Sequence, residues 1–374
     1  MELEYKVEED KVSIVMPERI SETNADGFKN QVEAIMRLHS QVKPELDCTD
    51  LKYISSSGLR VLLSAQKKWG KDKITLKNVR REVNEILEMT GFSSIFHVSR
   101  PVKTVDLTGC ERLASCVNGT LYRLSKGMMV KVFFPKVTLE EAEEEIELAR
   151  KALICGIPTP ISFTIVKAGE SFGIIFEEVE PISIVQKIKE DPKQVGFYVL
   201  KYADFVKELH DTEVLPGQLP SVKERYLKWL EEAEEKLPQS KWLGMKEMVT
   251  RIEDKHAFVH GDLTIDHIFL VGNELMVMDM GSCGYGHPIF DLQAIYASLV
   301  AIEIDNPGYC KEKLDLSAKT CRHIWKLFIK RYLGAGEDGM PDKAQAAALN
   351  QLLEQYYILK EQLIDGMEHP ACFS

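Results

Sequence analysis

The segment that most constrains this chain runs from Phe258 to Gly281. Phe258-Val259-His260-Gly261-Asp262-Leu263-Thr264-Ile265-Asp266-His267 leads into the apolar run Ile268-Phe269-Leu270. The turn Val271-Gly272-Asn273-Glu274 follows, then Leu275-Met276-Val277-Met278-Asp279-Met280-Gly281. Two short apolar runs around a Gly-Asn turn read as a β-hairpin. The hairpin folds the chain back and carries Asp262, His267 and Asp279 towards one end of a sheet. Two carboxylates and an imidazole then face a common volume. Phosphoryl transfer needs one carboxylate to orient or deprotonate the acceptor hydroxyl and another to hold a metal on the phosphates. The plainer alternative is two surface acids on an unrelated hairpin, and the conjunction of His-Gly-Asp, hairpin and Asp-x-Gly weighs against it.

Composition sets the class of molecule. At 374 residues, 45% of them hydrophobic, the chain is long enough for two or three cores. A formal net charge of −11 without clustered Lys and Arg excludes a nucleic-acid partner of the usual kind. The eight cysteines form no CxxC pair and lack the density of a disulfide scaffold. No basic leader with an apolar core is evident and no apolar run reaches bilayer length, so the expectation is a cytoplasmic protein with no membrane partner.

Residues 1–100 alternate strand and helix signals. Strands are expected at Glu2–Val7, Val12–Met16, Glu45–Asp50 and Lys73–Leu76. Helices are expected after Ser21–Asp26, after Gly58 and over Arg81–Thr90, the second ending near Trp69-Gly70. The pattern is α/β with short crossovers. At Ser55-Ser56-Ser57-Gly58 a strand ends in serines just before a helix. Plain N-capping is the local reading, and a phosphate placed there is the other, because it would meet the positive helix end and bring about −1.5 to −2 charges.

Asp47-Cys48-Thr49-Asp50-Leu51-Lys52-Tyr53-Ile54-Ser55-Ser56-Ser57-Gly58-Leu59 resembles the core of STAS domains, the anti-sigma factor antagonist family. The resemblance implies an α/β sheet covered by helices, places the phosphorylatable serine at Ser56 and implies an anti-sigma-type protein partner. Ser55 stands where the family often has Asp. Residues 101–112, with Pro101 and Gly109, read as a linker.

Downstream, Tyr122–Leu124 and Met129–Phe133 read as strands around a turn at Ser125-Lys126-Gly127. Lys131 lies within the second strand, and an acidic helix follows from Leu139 to Cys155. On that helix Glu145 shares a stripe with Ala142, Ala149 and Ala152, so it lies near the packed side, whereas Glu143 has Glu140 and Glu147 for neighbours. Glu145 is therefore the expected partner of Lys131. Helical patterns dominate from Ile188 onward: Val195–His210, Ser221–Lys236, Met245–Lys255, Thr320–Leu333 and Lys343–Ile364. Aromatic residues in this part of the chain, such as Trp229, Trp242 and Trp325, read as core before pocket.

The His-Gly-Asp and Asp-x-Gly residues resemble the aminoglycoside phosphotransferase and choline kinase-like family. This implies an α+β, bilobal, protein kinase-like fold over 113–374, with an N-lobe over about 113–180 and a helical C-lobe over about 181–374. By the same resemblance Asp262 is the catalytic base, Asp279 a metal ligand and Lys131 the phosphate-contacting lysine paired with Glu145. The loop Ser115-Cys116-Val117-Asn118-Gly119-Thr120 covers the nucleotide, an ordinary turn being the equal alternative for a stretch with one glycine. By resemblance the backbone of Glu178 and Val179 meets the base and Asp291 is structural. ATP, or GTP as the alternative, with Mg²⁺ or Mn²⁺, is the implied cofactor set. The acceptor is a hydroxyl of a small molecule or of a protein, including the chain's own STAS-like domain. The family's metal-binding Asn is His267 here. Imidazole suits Mg²⁺ poorly and Mn²⁺ better, which leaves three readings: an enzyme with altered metal preference, a single-metal enzyme, or a nucleotide-binding pseudoenzyme that works through its STAS-like domain.

Overall fold

The computed structural model describes residues 2–8, 11–39, 41–69, 74–99, 101–116, 118–179, 182–334 and 343–365. Gly70, Lys73 and Val117, which the sequence reading used, lie outside them. The chain divides into two compact units, Met1–Lys103 and Thr104–Ser374.

In the first unit β1 (Tyr5–Val7) pairs antiparallel with β2 (Lys11–Val15). A short parallel pair, β3 (Arg19–Ile20) with β5 (Tyr53–Ile54), stands apart from the main sheet. The main sheet continues in parallel through β4 (Lys43–Asp47), β6 (Thr75–Lys77) and β7 (His97–Val98), in the order β1-β2-β4-β6-β7. Helices α1 (Ala25–Leu38), α2 (Ser56–Trp69) and α3 (Arg81–Met89) alternate with the strands. Helical spacing of Phe28, Val32, Ile35 and Met36 gives α1 one apolar face. Ile14, Leu46 and Leu76 align across three strands, each at most 1% exposed, so one row of side chains anchors the core. Ser55 Oγ accepts the Gly58 N–H at 3.3 Å at the head of α2. Ser55 is buried and Ser56 is exposed, so the capping role belongs to Ser55.

The second unit begins earlier than the sequence suggested. The edge strand β8 (Lys103–Thr104) joins a six-stranded sheet, and the Val105 N–H donates to the Lys167 carbonyl at 2.9 Å. Backbone pairing therefore claims part of the stretch read as linker. The sheet runs β8-β12-β13-β11-β10-β9, from β9 (Glu111–Cys116), β10 (Gly119–Ser125), β11 (Met128–Phe133), β12 (Ser162–Ala168) and β13 (Ser171–Glu177). Helix α4 (Leu139–Ile154) starts with a capping box, in which Thr138 Oγ1 accepts from the Glu141 N–H and Glu141 Oε2 accepts from the Thr138 N–H. Ala142 and Ile146 of α4 pack with Phe133 and Ile174 of the sheet.

After β14 (Ile182–Ser183), helices α5 (Ile184–Glu190), α6 (Val195–Asp211), α7 (Val222–Glu232) and α8 (Gln239–Thr250) form the first part of a large core. Helix α8 starts and ends several residues before the expected Met245–Lys255, because Pro238 initiates it and Trp242, Met245 and Val249 are the residues it buries. Then come β15 (Ala257–Val259), β16 (Ile268–Val271), β17 (Glu274–Val277) and β18 (Gly284–Gly286). The β16–β17 hairpin is as expected, with Ile268 opposite Val277. Helices α9 (Ile289–Tyr296), α10 (Ile302–Asp305), α11 (Tyr309–Leu314), α12 (Ala318–Tyr332) and α13 (Lys343–Asp365) follow.

One carboxylate fixes the loop after β15. Asp291 is fully buried on α9. Its Oδ1 accepts the Gly261 N–H at 2.7 Å, and its Oδ2 accepts the His260 N–H at 2.8 Å and lies 3.0 Å from His210 Nε2. Gly261 has φ +84°, and a Cβ there would lie 2.2 Å from the Ser282 carbonyl oxygen, so only glycine fits. Replacing Asp291 by Ala leaves two buried N–H groups unpaired. Asp291→Ala is expected to destabilise the protein by about 3–5 kcal/mol, read as a lower denaturation midpoint. Gly119 faces a similar restriction, since a Cβ would meet the Val132 carbonyl oxygen at 2.3 Å. Gly119→Ala is expected to cost about 1–3 kcal/mol by the same measurement.

Candidate active site

Lys131 projects from β11 and is 5% exposed. Its Nζ donates to Glu145 Oε1 on α4 at 2.9 Å and to Asp279 Oδ1 at 2.8 Å. The stripe argument for Glu145 over Glu143 thus agrees with the observed pairing. Burial works against the charge on Lys131, but the Asp279 and Glu145 carboxylates outweigh it and hold its pKa above the ordinary lysine value. Burial alone would push the Asp279 carboxyl up, yet Lys131 and His267 hold it down, to about 2. Glu145, the more enclosed of the two acids, is pushed up by burial. Asp279 has φ +69°, a left-handed conformation that Asp tolerates better than most residues.

His260 ties the two acidic segments together. Its Nε2–H donates to the Met278 carbonyl at 2.9 Å, and its Nδ1 accepts the Asp262 N–H at 3.3 Å. Both bonds suit a neutral ring, and burial together with His267 lowers its pKa. Asp262 follows immediately, half-buried. Its Oδ1 accepts from Lys360 Nζ on α13 at 2.8 Å, and Lys360 also reaches the Gly261 carbonyl at 3.3 Å. Burial opposes the Asp262 charge, but Lys360 and His267 outweigh it and hold the carboxyl below its usual range. The sequence reading missed Lys360. Its signal was available: Leu353, Tyr356, Lys360 and Leu363 share one buried stripe of α13, and a lysine there breaks the apolar pattern.

His267 follows Thr264 in a short 3-10 turn, and its Nδ1 lies 2.8 Å from the Asp262 carbonyl oxygen. That contact places the proton on Nδ1 and leaves Nε2 with its lone pair. Burial disfavours the charged ring, but Asp266, Asp262 and Asp279 outweigh it and raise its pKa. Among the described residues no group of three or more His, Cys, Asp or Glu side chains is arranged to hold a metal ion. Asp279 and His267 line the same cleft and supply two donors. Such a pair fits a divalent ion whose remaining ligands come from substrate phosphates and water.

The cleft lined by Lys131, Glu145, Asp266, His267 and Asp279 also has apolar walls from Leu121, Phe176, Met278 and Met280. Glu178 and Val179 do not line it. The Glu178 N–H donates to the Gly127 carbonyl at 2.9 Å, and its carboxylate accepts from Arg123 at 2.5 Å and from the Gly127 N–H at 2.7 Å. Glu178 therefore braces the β10–β11 turn, and its N–H is not available to a base. Val179 packs with Leu121 and Met129. Asn118 lies in the β9–β10 turn and hydrogen-bonds Glu145, while its Oδ1 is buried without a partner among the described residues. Trp229, Trp242, Trp325 and Tyr356 are buried in the large core.

A model of the phosphotransferase enzyme family matches residues 110–312, and a STAS domain model matches residues 3–124. The matches overlap at β9 and β10, which pair within the sheet of the second unit. No curated protein matches the chain in sequence. Among solved structures, a choline/ethanolamine kinase family protein from Mesorhizobium loti is 15% identical, covering 68% of this chain and 77% of its own, with a TM-score of 0.41. Amicoumacin kinase in complex with AMP-PNP, Ca²⁺ and its ligand is 16% identical, covering 78% and 89%, with a TM-score of 0.44. A candidate anti-sigma factor antagonist from Thermotoga maritima is 22% identical, covering 27% of this chain and 87% of its own, with a TM-score of 0.24. Among the described residues no helix is long and apolar enough to cross a membrane. The chain belongs to the phosphotransferase enzyme family and carries a STAS domain ahead of its kinase-like unit.

Proposed function

We propose that the second unit transfers the γ-phosphoryl group of ATP, or of GTP as the alternative donor, to a hydroxyl acceptor. The observation that carries this reading is the single cleft holding Lys131, Glu145 and Asp279, with Asp262 on the loop joined to it through His260. Lys131 binds the nucleotide phosphates and Glu145 keeps it in place. Asp262 takes the acceptor proton as the acceptor oxygen bonds to the γ-phosphorus, and the bond from that phosphorus to the β–γ bridging oxygen breaks to release the nucleoside diphosphate. A divalent ion held by Asp279 and His267 neutralises charge on the phosphates when bound. Asn118 and Gly119, in the β9–β10 turn, form the nucleotide's outer boundary in this reading.

The first candidate acceptor is Ser56 of the chain's own STAS domain. Its hydroxyl is exposed at a helix head whose capping is done by Ser55. Tethering raises the effective concentration of such an acceptor. An anti-sigma-type protein partner is the proposed reader of the modified surface. A second reading, favoured by His267, is a nucleotide-binding pseudoenzyme acting through the STAS domain.

Incubation with ATP and Mn²⁺ is expected to add a phosphoryl group to Ser56, detected by domain-resolved mass spectrometry and absent in Ser56→Ala. Asp262→Asn is expected to slow turnover by about 10²–10⁴-fold, and Asp279→Ala to abolish metal-dependent turnover. Nucleotide binding without turnover in the unaltered protein selects the pseudoenzyme. Mn²⁺ is expected to support faster turnover than Mg²⁺, and His267→Asn to shift the ratio towards Mg²⁺. Equal rates with both ions in the unaltered protein remove the argument from His267.

A further inference from the structure

The last helix delivers a buried cation to the proposed base. Lys360 is 5% exposed in a stripe otherwise made of Leu353, Tyr356 and Leu363. Helix α13 is held by Tyr356 Oη, which donates to the Met248 carbonyl at 3.1 Å, and by Trp325 Nε1, which donates to Asn350 Oδ1 at 3.2 Å. A buried ion pair is a poor source of stability, since an apolar residue of similar size packs as well or better at such a site. Stability alone therefore does not account for a lysine here.

The contact geometry is selective. Lys360 takes Oδ1 of Asp262 and the carbonyl of Gly261, so it grips both the carboxylate and the backbone that carries it. Among the described residues Oδ2 of Asp262 has no hydrogen-bond partner, and the Asp262 side chain is 37% exposed. One oxygen is anchored and the other is presented. We infer that Lys360 is a positioning residue for phosphoryl transfer, fixing the Asp262 carboxylate so that Oδ2 faces the acceptor hydroxyl. The inference rests on the proposed role of Asp262.

The test measures ADP release from ATP with Mn²⁺ for the full chain and for Asp262→Asn, Lys360→Met, Lys360→Arg and the double variant Asp262→Asn/Lys360→Met. Lys360→Met is expected to lower kcat by about 10–100-fold while KM for ATP stays within about twofold. Lys360→Arg, which keeps the charge, is expected to recover part of the loss. The double variant is expected to be no slower than Asp262→Asn, because a residue acting through Asp262 has nothing left to position. It also removes both charges together, so it retains its fold if Lys360→Met alone does not. Unchanged kcat in Lys360→Met beside a slow Asp262→Asn overturns this inference and leaves the role of Asp262 standing. So does a double variant whose loss is the product of the two single losses. Unaltered protein no faster than Asp262→Asn overturns the role of Asp262, and the inference falls with it.

Discussion

A fully buried carboxylate on α9 organises the loop that carries the candidate site of the second unit. Asp291 accepts from two consecutive backbone N–H groups and meets His210, so both its oxygens find partners inside the fold. A polar side chain buried that deeply is tolerated because several hydrogen-bond partners converge on it. The same bonds dictate the path of His260 and Gly261, and the tight turn at Gly261 against Ser282 then aims the next residue, Asp262, out of the core. His260 passes the constraint onward through its bond to Met278, the residue before Asp279. Arg225 reinforces the far side by donating to the Ser282 and Cys283 carbonyls.

Each acidic residue that leaves this frame meets a buried lysine from a remote element. Asp279 meets Lys131 from the antiparallel sheet, and Asp262 meets Lys360 from the final helix. The two pairs differ in what the cation does next. Lys131 is shared with Glu145, so its position is set by α4 as well as by Asp279. Lys360 shares its remaining contact with the Gly261 carbonyl, so it is referenced to the loop itself. His267 completes the arrangement because its Nδ1 is tied to the Asp262 carbonyl, which orients Nε2 without using either carboxylate.

Much of this was legible in local sequence. The β16–β17 hairpin followed from two apolar runs around Gly272-Asn273, and the choice of Glu145 followed from its alanine stripe, because periodicity reports which face of an element is packed. Two other features were not. Glu178 is used by the β10–β11 turn, a pairing set by strand register. The β8 strand was read as linker because two residues of edge strand carry no periodicity of their own.

The sequence by itself determined the order of the two domains, the acidic loop-hairpin-turn segment, the helix that carries Glu145 and the serine cluster at the head of α2. Each of these is written in neighbouring residues, through spacing, turn chemistry or capping. Tertiary structure alone decided that Asp291 grips the His260–Gly261 backbone and that Lys360 reaches Asp262 across 98 positions of sequence. The physical reason is the same in every case. A hydrogen bond between distant segments depends on how whole elements pack, and local patterning fixes only which side chains are turned inward.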